Sequence, residues 1–214
     1  MQTILTMRID HLNPKPDRAG RYRVQLSDNT VLKLYRQTIE DFGLYTGLEL
    51  SDEVYNELVT AAGQMSAKLR AIRIVAASGI SKRDLEQRLI RKGETPADAK
   101  DAVQWMADLD LIDDRKTAEN IVRSCVQKGY GIARAKQALY EKQVPKELWS
   151  DALADYPDQQ EKILEFLKNK LPDFPTDKDV RRTVDSLLRR GHNYSQIRHA
   201  LMQLSLDSEE FPEG

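Results

Sequence analysis

Three glycines, Gly79, Gly129 and Gly191, mark a helical pattern that occurs three times in this sequence. The residues at +6 and +10 from each glycine are apolar: Leu85 and Leu89, Ala135 and Leu139, Ile197 and Leu201. Those at −7, −4 and −3 are apolar as well: Ile72, Val75 and Ala76, then Val122, Cys125 and Val126, then Val184, Leu187 and Leu188. These spacings place each set on one helical face. Each copy is predicted to be two helices joined at a glycine with positive φ.

A third helix is predicted to follow the pair in the first two copies. Thr95-Pro96 and Val144-Pro145 would place proline at its first position, and its apolar residues are Ala99, Val103 and Met106, then Leu148 and Ala152. Caps for the second helices are expected near Ser81, Gly131 and Ser195. The glycines are 50 and then 62 residues apart, so the second interval contains an insertion that includes 160–171.

The first 36 residues alternate apolar and polar side chains, which predicts a strand and then a hairpin that turns at Asp28-Asn29. This small sheet is expected to pack on a helix that starts at Ser51 and buries Val54, Leu58 and Ala61. The fold class is therefore mainly α, a tandem array of three-helix, helix-turn-helix-like repeats after a small β-hairpin or three-stranded element. The predicted divisions are a β region (1–50), a connecting helix (51–65), three repeats (66–110, 111–156 and 157–204, the last with an inserted helix) and an acidic tail (205–214).

The 33 Lys plus Arg residues against 34 Asp plus Glu give a net charge of −1, which argues against a strongly basic DNA-binding domain. No apolar run approaches the ~20 residues of a membrane span. Arg8 and Asp10 interrupt the region where a signal peptide would need its apolar stretch. A cytoplasmic protein is expected.

Charge alternates with the repeat. Residues 66–92 carry eight bases and two acids, a net charge of +6, while 120–149 and 180–204 each have a net charge of +4. The intervening segments are acidic, with −5 over 93–119 and −4 over 150–179. Repeats stacked in one direction would align the basic segments into a stripe. The sequence thus predicts a positive groove on a nearly neutral protein.

The candidates for this stripe form a cluster expected to bind DNA phosphate or an acidic protein surface. They are Lys82, Arg83, Arg88, Arg91, Lys92, Arg123, Lys128, Arg134, Lys136, Arg181, Arg182, Arg189, Arg190 and Arg198, with Tyr130 and Tyr194 placed to stack or cap beside them. About half of such a set is expected only to solvate helix faces or to form i,i+4 pairs, as Asp84 does with Arg88.

Motifs of enzymes are weak here, and no catalytic, cofactor-binding or metal-binding residue is predicted. Asp113 and Asp114, part of an acidic group with Asp108 and Asp110, are expected to cap a helix and not to bind a metal. Gly129-Tyr130-Gly131 lacks the third glycine of a dinucleotide loop. Three dispersed histidines, His11, His192 and His199, are expected to face solvent or contact phosphate. The single cysteine, Cys125, is expected to be a buried, inert thiol.

Three motifs resemble those of the RecX family, regulators of the bacterial recombinase RecA. They are LIDDRKTAENIVRSCVQKGYGIARAKQAL from Leu111, DKDVRRTVDSLLRRGHNYSQIRHAL from Asp177, and SGISKRDLEQRLIRKG from Ser78. The resemblance implies a protein that lies in the groove of the RecA filament on DNA. It would inhibit or tune ATP hydrolysis, strand exchange and coprotease activity in homologous recombination, DNA repair and the SOS response.

The resemblance further implies a monomer without a cofactor, which contacts single- and double-stranded DNA weakly or through the filament and no membrane. A stand-alone helical nucleic-acid-binding module is the alternative, because two short helices joined at a glycine turn are similar to a helix-turn-helix.

Overall fold

The computed structural model describes residues 6–77 and 79–204. The predicted acidic tail, Ile4 and Leu5 of the first predicted strand, and Ser78 of the first motif lie outside the described residues. The chain divides into a first unit, Met1–Ser78 with Asp84–Ile112, and a second unit, Gly79–Arg83 with Asp113–Gly214. Helices dominate and a small antiparallel sheet precedes them, so the predicted fold class is confirmed.

Within the described residues, four strands form one antiparallel sheet in the order β3-β2-β1-β4. The strands are β1 (Met7–Leu12), β2 (Arg21–Leu26), β3 (Val31–Tyr35) and β4 (Glu49–Leu50). The expected hairpin is β2–β3, with Asn29 at φ 68° in its turn. The two-residue β4 and a short helix α1 (Arg36–Asp41) were not predicted. The alternation is confirmed by Ile9, Val24, Leu26 and Leu34, which are buried in one core.

Helix α2 (Asp52–Ala77) joins the sheet to the first repeat as one continuous helix. It begins as predicted, with the Ser51 hydroxyl accepting from Val54 N at 3.3 Å. Leu58 completes the core of the sheet, whereas Val54 is 36% exposed, so its predicted burial is wrong. Farther along, Ala67 and Ala71 are fully buried. One helix therefore contributes to the sheet core at one end and to the first repeat at the other.

The first repeat continues with α3 (Lys82–Arg91) and α4 (Pro96–Asp108), and α4 packs against α2. Thr95 caps α4 and Pro96 occupies its first turn, as predicted. The predicted residues Ala99, Val103 and Met106 are buried. The predicted apolar face before Gly79 is wrong in this copy, because Ile72 is 39% exposed and Ala76 is exposed. Gly79 also lacks the predicted positive φ, so the first turn differs from the other two.

The second repeat consists of α5 (Asp114–Gln127), α6 (Ile132–Glu141), a 3-10 turn (Lys146–Leu148) and α7 (Trp149–Leu153). Gly129 ends α5 with φ 63°, as predicted. Its core contains Val122, Cys125, Ala135 and Leu139, which are the residues that the glycine spacing predicts. The buried Thr117 hydroxyl of α5 donates to Ile80 O at 3.3 Å, and this bond fixes segment 79–83 to the second repeat.

The third repeat uses the inserted segment as its third helix. Helix α8 (Gln160–Lys170) precedes the pair α9 (Asp177–Arg189) and α10 (Tyr194–Gln203). Ile163 and Leu167 of α8 join Val184, Leu187, Ile197 and the rest of the pair in one core. Leu188, at −3 from Gly191, is 43% exposed, contrary to prediction. Asn193 and not Ser195 caps α10, through a capping box with Gln196. None of the helices in the described part of the chain is long and apolar enough to cross a membrane.

Candidate functional site

The α5–α6 turn of the second repeat and the α9–α10 turn of the third repeat meet through their backbones. Gly131 N donates to Arg190 O at 2.9 Å, and Ala133 N donates to Gly191 O at 3.4 Å. A Cβ atom on Gly131 would lie 1.9 Å from Gly191 O, and one on Gly191 would lie 2.3 Å from Arg134 N. Since no side chain fits in either place, Gly131 and Gly191 allow the backbones of the two repeats to come together.

His192 lies inside this junction, which corrects the expectation that it faces solvent or contacts phosphate. The residue is only 4% exposed, and its Nε2 atom lies 3.0 Å from Gly129 O. Burial lowers the pKa of His192, and the nearby Arg190 adds to this, while the bond to Gly129 opposes it. The histidine is therefore held in its neutral form as part of the packing. His199, by contrast, is exposed on α10.

Arg190 is packed against two aromatic rings beside the same junction. Its Cζ atom lies 4.6 Å from the ring centre of Phe166 and 5.6 Å from that of Tyr130. Arg190 also lines a cavity of about 240 Å³, together with Lys128 and Lys162. The structure thus brings Lys128, Tyr130 and Arg190 together from the predicted set. It adds Lys162 and Phe166 of α8, which no local pattern marks, because the repeat spacing does not extend into the insertion.

Helices α9 and α10 present exposed basic residues of the predicted cluster. Arg182 and Arg189 are exposed and lie seven residues apart on α9, two helical turns along one face. Arg198 is exposed on α10. None of these three forms an ion pair with a residue of 6–77 or 79–204. We call Arg182, Arg189 and Arg198 the arginine face; Arg181, also exposed on α9, has a partner of its own.

Several other members of the predicted cluster are engaged within the protein. Arg88 forms a two-bond pair with the buried Asp84, at 3.0 and 2.9 Å, which confirms this predicted i,i+4 contact. Arg91 lies 3.9 Å from the same carboxylate. Arg134 pairs with Glu141 at 3.1 Å, and this bond lowers the pKa of Glu141. Tyr194 is half-buried against the core of the third repeat.

The remaining candidates are exposed. In the second unit they are Lys82, Arg83, Arg123, Lys128 and Lys136, and in the first unit Lys92. Arg123 makes a long contact of 3.4 Å with Asn120. The predicted continuous stripe across all three repeats stays a prediction.

Asp113 caps α5, as predicted. Its carboxylate accepts from the backbone N–H groups of Arg115 and Lys116 at 2.8 and 3.2 Å. These bonds, with the charges of Lys116 and Lys82, lower the pKa of Asp113. Asp114 accepts from Lys82 N at 2.8 Å. In the described ranges, no group of His, Cys, Asp or Glu side chains has the arrangement of a metal site. Two of the four acidic residues, Asp113 and Asp114, are therefore explained by their hydrogen bonds within the protein.

A family model described as the second three-helix domain of RecX matches residues 113–153. This range begins at the cap Asp113 and ends with α7, so it coincides with the second repeat. A crystal structure described as regulatory protein RecX has a TM-score of 0.60 to this chain at 18% sequence identity. It covers 94% of this chain and 100% of that one, and the likeness shows a common fold.

Curated relatives extend the match over most of the repeat region. The regulatory protein RecX of Vibrio campbellii is 30% identical over 148 residues, 65% of this chain and 92% of that protein. The regulatory protein RecX of Halorhodospira halophila is 30% identical over 163 residues, 73% of this chain and 100% of that protein. With the repeat fold, the motif glycines at the junction and this identity over a relative's full length, the chain belongs to the RecX family of regulatory proteins.

Proposed function

We propose that this protein binds the RecA filament on DNA and inhibits its ATPase, strand-exchange and coprotease activities. It acts by occupying the filament and not by chemistry of its own, as a cytoplasmic monomer that needs no cofactor. The observation that carries the proposal is the arginine face of a chain that belongs to a family of regulatory proteins. These three exposed guanidinium groups form no ion pair with residues 6–77 or 79–204 and are available to phosphate or to carboxylate.

The shape of the second unit supports a long contact. Helices α9 and α5 have 13 and 14 residues, which corresponds to about 20 Å each. Their exposed bases, Arg182 and Arg189 on one and Arg123 on the other, are carried by rigid helices and not by loops. Cations held two helical turns apart, as Arg182 and Arg189 are, suit a regular polymer with repeating negative charge better than a small molecule.

The test is RecA ATPase activity on single-stranded DNA, measured with this protein at molar ratios well below one per RecA. We expect the wild-type protein to inhibit. The triple variant Arg182→Glu, Arg189→Glu, Arg198→Glu should lose inhibition with unchanged helical content. A matched control reverses three other exposed bases of the second unit, Lys146, Lys168 and Lys170, which lie outside α9 and α10. This control should keep inhibition.

Three results would contradict the proposal. The first is no inhibition by the wild-type protein, and the second is equal loss of inhibition in the two triple variants. The third is tight, salt-sensitive binding to duplex DNA alone without any effect on RecA, which would favour a stand-alone nucleic-acid-binding module.

A further inference from the structure

A second basic site lies in the first unit, apart from the arginine face. A cavity of about 450 Å³ opens between the loop that precedes β2 and the helices α2 and α3. Its polar lining is Arg21, Tyr35, Arg70, Arg73, Arg88 and Lys92. These residues come from β2, β3, α2, α3 and the turn after α3, at sequence positions up to 71 residues apart. Helical spacing relates Arg70 to Arg73 and Arg88 to Lys92, but only the fold brings these two pairs and Arg21 to one cavity.

Each of the four arginines is held in place by a contact inside the first unit. Arg21 makes two bonds to Asp17, at 3.0 and 2.8 Å, and Arg88 makes two to Asp84. Arg70 pairs with the buried Glu94 at 2.8 Å and donates to Lys92 O. Arg73 donates to Ala19 O at 3.0 Å. The guanidinium groups are therefore fixed before any ligand arrives, which lowers the entropic cost of binding.

These contacts leave donors for a ligand. A guanidinium has five N–H donors, and in each of the four arginines one terminal nitrogen has no partner among residues 6–77 and 79–204. The Lys92 ammonium likewise has no hydrogen bond or ion pair to the described part of the chain. The pairing acids number three, Asp17, Asp84 and Glu94, against five cations. Two positive charges are thus uncompensated.

We infer that this cavity binds the phosphate groups of a single nucleic-acid strand. Planar guanidinium groups match phosphate oxygens in pairs, and two uncompensated charges match two adjacent phosphodiesters. Tyr35 supplies a half-buried ring on which a base or sugar can stack. The volume is in the range of small-ligand pockets and larger than one phosphate requires. We call this site the phosphate pocket; it does not depend on the proposed action on RecA.

The inference assigns a role to the N-terminal sheet. Arg21 and Tyr35 belong to β2 and β3, while Arg70 and Arg73 belong to α2. The Arg73–Ala19 bond holds the loop before β2 against α2. The sheet therefore forms one wall of the pocket, and a chain without it would lack the site.

The experiment follows the side-chain Nε–H signals of the four pocket arginines by NMR while ten-residue oligo-deoxythymidine is added to the full chain. Separate titrations use inorganic phosphate, thymidine 5′-monophosphate and a ten-residue oligoglutamate peptide. We expect the oligonucleotide to shift these signals at concentrations at least about tenfold lower than any of the other three probes, because only the strand offers two phosphates and a base together.

Two variants and a control accompany the titrations. Lys92→Glu changes a side chain that forms no hydrogen bond or ion pair with residues 6–77 and 79–204, and it should weaken the pocket response about fivefold. Adding Arg73→Glu should weaken the response more than tenfold. The control, Lys33→Glu with Lys100→Glu, reverses two exposed bases of the same unit that do not line the pocket. It should change the response less than twofold.

The inference is overturned if oligoglutamate shifts the signals as strongly as the oligonucleotide, since charge alone then accounts for binding. It is also overturned if the monophosphate binds as tightly as the strand, because the ligand is then a free nucleotide. Equal weakening by the pocket and control variants would likewise exclude it. RecA inhibition is a separate measurement, so its failure would leave these results standing.

Discussion

The Nε2 atom of His192 lies 3.0 Å from the carbonyl oxygen of Gly129, so two turns 63 residues apart are joined by one side chain. The tautomer with its proton on Nε2 donates this bond. The Nδ1 atom is buried and has no hydrogen-bond partner in the described part of the chain. Protonation would add a second N–H that lacks an acceptor, beside the cation of Arg190.

We predict that the second unit loses stability on mild acidification through His192. Burial lowers the pKa of His192 from 6.5 in the folded state, so the unfolded chain binds more protons. The stabilising contribution is complete above pH 6.5 and is lost as the pH falls below it towards the lower folded pKa. Urea unfolding would be followed by Trp149 fluorescence in a Trp105→Phe background, because the two tryptophans belong to different units.

The comparison for this prediction is His192→Gln, which does not titrate. Between about pH 7.5 and about pH 5.5, the wild type should lose more unfolding free energy than the variant. Parallel pH profiles for the two proteins would show that His192 does not contribute.

Replacing either junction glycine should destabilise the second unit. Gly191→Ala forces a side chain onto φ +85° and places its Cβ atom 2.3 Å from Arg134 N, at a cost of about 3 kcal/mol or more. Gly131→Ala places a Cβ atom 1.9 Å from Gly191 O. Gly79→Ala is the matched control, because it meets no atom within 4 Å at an ordinary φ. Equal unfolding free energies for the three variants would refute the junction.

Loss of the charge on Glu94 should destabilise the first unit. Its carboxylate, 7% exposed, pairs with Arg70 at 2.8 Å and accepts from the Ser66 hydroxyl at 3.0 Å. Glu94→Gln keeps the shape but removes the charge that holds Arg70, and we expect a cost of about 2 kcal/mol. Trp105 fluorescence in a Trp149→Phe background would report it. Glu57→Gln, at an exposed glutamate on α2 of the same unit, should change the unfolding free energy by less than about 0.5 kcal/mol.

Cys125 should react only when the second unit unfolds. The residue is 6% exposed, and burial raises the pKa of its thiol, so little thiolate is present near neutral pH. Reaction with a disulfide reagent should be at least about a hundredfold slower in native buffer than in denaturant. Because the chain has one cysteine, the measured reaction can only be that of Cys125. A native rate equal to the denatured rate would contradict the burial.

The glycine spacing predicted the paired helices of all three repeats because helical periodicity depends on local sequence alone. Leu85, Leu139 and Ile197 are each fully buried, as the spacing requires. It failed upstream of Gly79, where α2 is shared with the sheet and turns Ala67 and Ala71 inward in place of Ile72. Strand β4 was missed because two residues are too few to show an alternation.

The candidate sites were harder to predict because the sequence does not show which residues a charged side chain contacts in the fold. Arg88, Arg190 and Arg182 all belong to the predicted basic cluster. In the structure Arg88 pairs with a buried acid, Arg190 packs on aromatic rings and Arg182 is exposed. Arg21 belongs to the sheet and Arg73 to the first repeat, and only the fold shows that they share a cavity. His192 was expected to face solvent or contact phosphate because its partner, Gly129, is 63 residues away in the sequence.

The continuity of α2 sets the rotational phase between the sheet and the first repeat. From Leu58 in the sheet core to Ala71 in the repeat, the helix contains no break. Each residue of an α-helix turns the chain by about 100° and advances it by 1.5 Å. One residue inserted between these positions would therefore swing the sheet about a quarter of a turn around the helix axis and separate Arg21 from Arg73. The length of this helix, as much as the side chains themselves, determines whether the phosphate pocket exists.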